Sequence, residues 1–172
     1  MARSALAGPA LFVAVLALDQ VTKAMALATL DPAVGGGPIV VAPFLNLVLV
    51  WNSGVSFGML AGAGGDSPWI LVGLALLISG VVAFWLTRER RALPRTALWL
   101  VLAGALGNVV DRVRFGAVVD FLDFHAAGYH WPAFNVADSA IVIGAGLLIL
   151  DGLLGRQTTT NEERRGEGDA RA

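Results

Sequence analysis

The sequence predicts an α-helical membrane protein with four transmembrane helices, a small β-sheet at one membrane face and an interfacial loop beside it. Three observations carry that expectation. The 172 residues are 56% hydrophobic and only 15% charged, where an average soluble domain carries about 25% charged residues. The mean hydropathy is +0.72. The apolar residues gather into four stretches, each close to the roughly 20 residues a helix needs to cross a bilayer. Folded in water, such a chain would expose more apolar surface than a monomer tolerates. Disorder of the whole is excluded, because it needs low hydrophobicity and high net charge, and the net charge is -1. A pI near 6.1 leaves no basic footprint for a nucleic acid. The chain has no cysteine, which excludes disulfides, thiolate metal sites and cysteine nucleophiles.

The spans fall at about 6–30, 68–86, 96–113 and 136–154. Together they make one membrane domain, 1–155. The first stretch is too long and too poor in basic residues for a secretory signal peptide, and it carries Asp19 and Lys23 in its second half, so it reads as a retained span. Basic residues set the direction. A cytoplasmic N-terminus puts Arg3, the cluster Arg88, Arg90, Arg91 and Arg95, and the tail residues Arg156, Arg164, Arg165 and Arg171 on the cytoplasmic side. The other side keeps only Arg112 and Arg114, so both termini are expected to be cytoplasmic. The tail, 156–172, is polar, glycine-rich and charged, and is expected to be disordered.

Two loops remain on the extracytoplasmic side. The first contains an apolar, β-branched run from Ile39 to Trp51, too short to span and interrupted by Pro43 and Asn46. It is bounded by Gly35-Gly36-Gly37 and by Gly62 to Gly65, and reads as paired strands at the membrane surface. The second, from Phe115 to Phe134, carries Phe121, Phe124, Tyr129 and Trp131, an interfacial density of aromatic rings.

Polar groups inside spans are functional suspects, since an ionisable residue there costs about 2.5–3.5 kcal/mol on insertion scales. Asp19 and Lys23 lie one turn apart on one face of the first span; they read either as a neutralised structural pair or as an anchor for a site. Asn108, Asp111 and Arg112 end the third span, with Gly104 and Gly107 allowing close helix packing. Asp120 follows that span, and Asp138 opens the fourth, where an acid also favours the helix dipole. Asn52 and Gly54 end the apolar loop run and suit a tight turn. Ser53 and Ser56 have no general base placed beside them. His125 and His130 lack a third ligand, so no metal is expected.

Two carboxylates in a dry site cannot both ionise cheaply. They share a proton and their pKa values split. The ionised member can take a proton from water while the other donates to a carbonyl oxygen, which hydrolyses a peptide bond without metal, cofactor or covalent intermediate. Asp120 and Asp138 suit this, with Asp111 and Asp123 as competing candidates.

Five blocks then converge: Asp19-Gln-Val-Thr-Lys23, Asn52-Ser-Gly-Val-Ser-Phe57, Gly107-Asn-Val-Val-Asp-Arg112, Val118-Val-Asp-Phe121 and Phe134-Asn-Val-Ala-Asp138. In this order the chain resembles the bacterial lipoprotein signal peptidases, the type II signal peptidases, from Asp19 to about Leu154. The resemblance implies an aspartic endopeptidase of the cytoplasmic membrane. It implies cleavage of prolipoproteins on the amino side of a diacylglyceryl-modified cysteine, at the extracytoplasmic face. It places the catalytic pair on Asp120 and Asp138. Substrate-contacting or supporting positions fall on Asn52, Gly54, Asn108, Arg112 and Asn135, with Asp19, Lys23 and Asp111 in support. It implies a sheet that cradles the substrate, inhibition by globomycin-type peptides, no cofactor, contact with membrane lipids and a monomer. Ser56 stands where the family often has alanine, a change confined to fine packing. Two other readings compete: a small proton- or ion-coupled transporter, which would show interrupted helices or an internal repeat, and a non-catalytic membrane scaffold using the small-residue stripes.

Overall fold

The computed structural model describes the backbone of residues 2–54 and 68–169 and the side chains of 6–54 and 68–154. Ser56, Phe57 and Gly62 to Gly65 lie outside the described residues. The elements run α1 (Ala2–Leu30), a 3-10 turn (Pro32–Val34), β1 (Ile39–Ala42), β2 (Leu45–Asn52), α2 (Pro68–Arg88), α3 (Ala92–Phe115), β3 (Val118–Ala126), β4 (Tyr129–His130) and α4 (Val136–Asp169). Among the described residues, four helices are long and apolar enough to cross a membrane, over Leu6–Leu30, Pro68–Arg88, Ala92–Phe115 and Val136–Leu154. Their outward faces carry exposed Leu, Val, Ile, Phe and Trp side chains, such as Leu77, Phe84 and Val142, which suit a lipid solvent.

Helix ends follow local chemistry. α3 starts four residues earlier than the apolar stretch, because Pro94 lies in its first turn, where a missing N–H costs no hydrogen bond. The α2–α3 connection thereby shrinks to Glu89, Arg90 and Arg91. Glu89 Oε1 accepts both Arg90 N–H and Arg91 N–H at 2.8 Å. Arg91 Nη1 in turn pairs with Asp151 Oδ2 of α4 at 2.8 Å. α3 ends at Gly116, whose φ of 77° lets its N–H reach Arg112 O at 3.0 Å. Helical backbone continues from the fourth span to Asp169. Once a span is formed, extension adds residues without a new nucleation step, and Gln, Glu and Arg are good helix formers.

α3 is the central helix and packs against α1, α2 and α4. Val82 and Leu86 of α2 meet Leu98 and Leu102 of α3 in one core cluster, with Phe12 and Trp99 against it. The α3–α4 seam is tighter still. A Cβ at Gly104 would collide with the backbone carbonyl of Ala137, and one at Gly144 would lie 2.7 Å from Ala97 O. Small residues at such seams let helix backbones approach in lipid, where packing replaces the hydrophobic driving force. Gly104→Val is therefore expected to cost about 1–3 kcal/mol through overpacking, read as a lowered melting temperature in detergent. An unchanged melting temperature would show that the seam is looser than described.

The four strands form one antiparallel sheet in the order β1-β2-β3-β4. Chain order puts this sheet at one end of the bundle, where α1 and α3 end and α2 and α4 begin. Ala26 and Leu30 of α1, packed with Phe121, Leu47 and Leu49, fasten the sheet to the helices. Between Leu47 and Val50 the β2–β3 register shifts by one residue. That bulge has a consequence for side-chain direction. Asn46 and Asn52 are an even number apart and would share a face, whereas Asp120 and Asp123 are an odd number apart and cannot. The extra residue lets Asn46 meet Asp123 and Asn52 meet Asp120.

Candidate active site

The site grows from the ends of α1, α3 and α4 and the middle of the sheet. Asn135 is the residue before α4. Its Oδ1 accepts Asp138 N–H at 2.8 Å, and its own N–H donates to Asp138 Oδ2 at 3.3 Å. This is a capping box with aspartate in the third helical position. A third first-turn donor, Ala137 N–H, goes to Asp19 Oδ1 of α1 at 2.9 Å. The segment before the cap is pinned to β3: Phe134 and Leu122 exchange hydrogen bonds at 3.1 and 2.9 Å. Asp138 is thus brought beside Asp120 by a helix start whose Ala137 and Asp138 N–H groups both have side-chain acceptors. Its first-turn position serves the dipole as well as the site.

Behind the pair lies a buried ionic cluster. Lys23 Nζ meets Asp19 Oδ2 at 2.9 Å, Asp111 Oδ2 at 2.8 Å and Asn108 Oδ1 at 3.0 Å. An ammonium has three protons, so Lys23 is fully used. Gln20 Nε2 donates to Asp19 Oδ2, Asp111 Oδ1 and Gly107 O at 3.1–3.3 Å. Asp111 also accepts Val119 N–H at 3.1 Å. Asp19, Lys23 and Asp111 are each at most 2% exposed. A Cβ at Gly107 would sit 2.7 Å from Asp19 Oδ2, so glycine there lets α3 approach the cluster.

Three asparagines connect this cluster to the two acids, and each has its amide orientation set by a donor on its oxygen. Asn52 Oδ1 accepts Gly54 N–H at 2.9 Å, where Gly54 has φ +81°, leaving its NH₂ to Asp120 Oδ2 at 2.9 Å. Asn108 Oδ1 is taken by Lys23, leaving its NH₂ to Asp138 Oδ1 at 2.7 Å. Asn135 Oδ1 is taken by Asp138 N–H, leaving its NH₂ to Asp120 Oδ1 at 2.7 Å. A flipped amide would set NH₂ against N–H in each case. The three amides hold three carboxylate oxygens, and the Asn135 backbone N–H holds the fourth, Asp138 Oδ2.

Asp120 is 1% exposed. Its pKa is pushed up to about 6, first by burial and also by the charge of Asp138, against the hydrogen bonds of Asn52 and Asn135 and the charge of Lys23. In front of it opens a cavity of about 290 Å³, lined by Val50, Trp51, Asn52, Gly54, Asp120 and Pro132 among others. Arg112 comes near one wall of the cavity, at Gly54. Its charge acts on Asp138, Asp120 and Asp111, and its Nη2 lies 3.7 Å from where a Gly54 Cβ would be.

The expected site residues Asp19, Lys23, Asn52, Gly54, Asn108, Asp111, Arg112, Asp120, Asn135 and Asp138 thus assemble at one place. Of the four candidate acids, Asp120 lines the cavity and Asp138 is tied to it through Asn135, whereas Asp111 and Asp123 are held by other partners. Asp111 is enclosed by Lys23, Gln20 and Val119. Asp123 accepts from Asn46 Nδ2 at 3.1 Å and meets His130 Nδ1 at 2.8 Å, a contact that holds its carboxyl below the usual range. His130 stacks on His125 with ring centroids 4.9 Å apart. Sequence reasoning missed Gln20 and Asn46. Gln20 sits inside a quoted block without a charge to draw attention, and Asn46 looked like an interruption of a strand rather than a partner for Asp123.

Comparison with known proteins bears on this geometry. The family described as Signal peptidase (SPase) II matches residues 11–154. The lipoprotein signal peptidase of Paraburkholderia phymatum is 46% identical over 142 residues, 82% of this chain and 84% of that protein. The lipoprotein signal peptidase of Burkholderia mallei is 46% identical over 140 residues, 81% of this chain and 82% of its own. Among solved structures, a bacterial membrane enzyme determined by the in meso method at 2.3 Å resolution superposes with a TM-score of 0.75 at 32% identity, covering 88% of this chain and 90% of the other. A second, determined at 1.9 Å, has the same TM-score at 34% identity, covering 85% and 92%.

Proposed function

The chain belongs to the signal peptidase II family and is a bacterial membrane protease, and on that premise we propose that Asp120 and Asp138 are its catalytic pair. It removes the signal peptide of diacylglyceryl-modified prolipoproteins, cutting on the amino side of the lipidated cysteine. The observation that carries this reading is the orientation of three asparagine amides, all of which turn their NH₂ groups onto two acids, one of which lines an open cavity. A transporter or a scaffold has no need for such a pair at one end of its bundle, and neither is favoured by the family.

Asp120 holds the shared proton, consistent with its raised pKa, and gives it to the oxygen of the scissile carbonyl. Asp138, at the start of α4, takes a proton from the attacking water. Asn52, Asn108 and Asn135 keep both carboxyl groups in place, and Asp19, Lys23 and Asp111 keep Asn108 and the start of α4 in place. No metal or cofactor takes part. The sheet cradles the peptide, and the pocket takes globomycin-type inhibitors. The enzyme works as a single chain. Both termini are cytoplasmic and the sheet extracytoplasmic, supported by the gathering of Arg88, Arg90, Arg91 and Arg95 at the end of the bundle away from the sheet.

The lipid supplies specificity through the bilayer. Each buried CH₂ is worth about 0.8 kcal/mol, so a few methylenes alone account for about 100-fold in effective affinity. The test is cleavage of matched precursors in lipid nanodiscs. The unlipidated precursor is expected to be cut at least about 100-fold less efficiently. Equal kcat/KM for the two would overturn the substrate assignment.

The same chemistry sets a pH dependence. Because burial raises Asp120, the folded protein keeps that proton up to about pH 6. The stability this contributes is complete below the ordinary carboxyl range, near pH 4, and is lost as pH rises through about 6. In kcat/KM the loss appears as an alkaline limb near pH 6. Asn52→Leu removes a hydrogen bond that favours the ionised form, so that limb moves to higher pH. A limb that stays in place or moves to lower pH would show that another group holds the proton.

A further inference from the structure

We propose that Arg112 is the binding site for the newly formed C-terminal carboxylate of the cleaved signal peptide, an inference that rests on the proteolytic reading above. Hydrolysis adds water across the amide. The carbonyl carbon gains the water oxygen, the C–N bond breaks, the amine leaves as an ammonium and the acid remains as a carboxylate. A new negative charge therefore appears beside Asp120 and Asp138, with Asp19 and Asp111 close behind. It has to be met by a cation or expelled.

Among the described residues, two cations act on this place, Lys23 and Arg112. Lys23 is spent, because its three protons already go to Asp19, Asp111 and Asn108. Arg112 is not. Its guanidinium makes no ion pair or hydrogen bond among the described residues, and its Nε is buried with no partner. A buried donor left unmade is costly, so this one marks a place that an acceptor completes. The position suits a product rather than a structural acid. Arg112 is within electrostatic reach of Asp138 and Asp120, and its Nη2 approaches Gly54 at the wall of the cavity. Asp120 and Asp138 do not form salt bridges with it. They are held by the asparagines instead, which leaves the planar fork of the guanidinium free for a bidentate carboxylate. Gly54 leaves the room: a side chain there would collide with Leu71 and lie against Arg112.

The consequence is product inhibition that depends on one charge. The test uses a synthetic peptide that matches the precursor up to the scissile bond, made as the free acid and as the C-terminal amide. Each is added to the full-length enzyme cleaving a lipidated precursor. The free acid is expected to inhibit competitively at a concentration about tenfold or more below the amide, the scale of a charge-assisted contact. Equal inhibition by acid and amide in an enzyme that cleaves its precursor overturns this proposal and leaves the proteolytic reading standing. Absence of any cleavage is a failure of the proteolytic reading itself. Arg112→Gln can lose turnover, so binding of the fluorescently labelled peptides is measured as well. In Asp120→Asn the preference for the acid persists, and in Arg112→Gln it disappears. A preference that survives Arg112→Gln also overturns the assignment.

Discussion

Replacing Asp138 by Asn is expected to lower cleavage of a lipidated precursor by about 10²–10⁴-fold, the scale of a lost general acid or base, and Asp120→Asn to do the same. The reasons differ. At position 138 the amide keeps the size of the carboxyl but cannot take a proton from water. It also turns one NH₂ toward Asn108 or the Asn135 N–H, both of which donate at present. At position 120 the amide removes the proton that the raised pKa retains up to about 6. Both variants should still insert and fold. The Ala137 N–H bond to Asp19 and the Lys23 cluster do not involve either carboxyl. Gel-shift cleavage together with a thermal melt separates the two effects. A variant that melts like the wild type and turns over like it would remove that acid from the mechanism.

Lys23→Met is expected to have the largest effect on stability, about 3–5 kcal/mol, because it leaves two buried carboxylates without their cation. Asp19 and Asp111 are 0% and 1% exposed, and neither can turn to solvent. The damage should pass to the site through Asn108, whose oxygen would lose the donor that sets its amide. The measurement is the melting temperature of the purified variant in detergent, with the double change Lys23→Met and Asp111→Asn beside it. The second substitution removes one of the stranded charges and should recover part of the loss. A Lys23→Met protein as stable as the wild type would show that the cluster contributes little to holding α1 on α3.

The spans, and the polar positions inside them, were legible because they rest on strong signals. Runs of about 20 apolar residues leave few alternatives to a membrane helix, and an Asp, Asn or Lys inside such a run stands out against the cost of burying it. Pairing was less legible. Nothing in Leu47 to Val50 announces a bulge, yet that one extra residue decides which face Asn52 takes. The competition among Asp111, Asp120, Asp123 and Asp138 was open for the same reason. All four are acids at one end of the bundle, and their three-dimensional partners, Lys23 for Asp111 and His130 for Asp123, are not written in the sequence. Helix ends misled by a few residues, because hydropathy falls before the helix does: Pro94 and Arg95 are polar or rigid yet suit a first turn. That the Arg112 guanidinium has no partner among the described residues could not be read from sequence at all, since a terminal-turn arginine looks the same with or without one.

The most direct test of the central claim compares four proteins on one lipidated precursor: the wild type, Asp120→Asn, Asp138→Asn and the double variant. If the two acids act as one unit on one water, each single change brings turnover to a common floor and the double variant sits at that same floor, since groups that act together lose activity non-additively. A double variant whose loss equals the product of the two single losses would mean that Asp120 and Asp138 work independently, and the paired mechanism would be wrong.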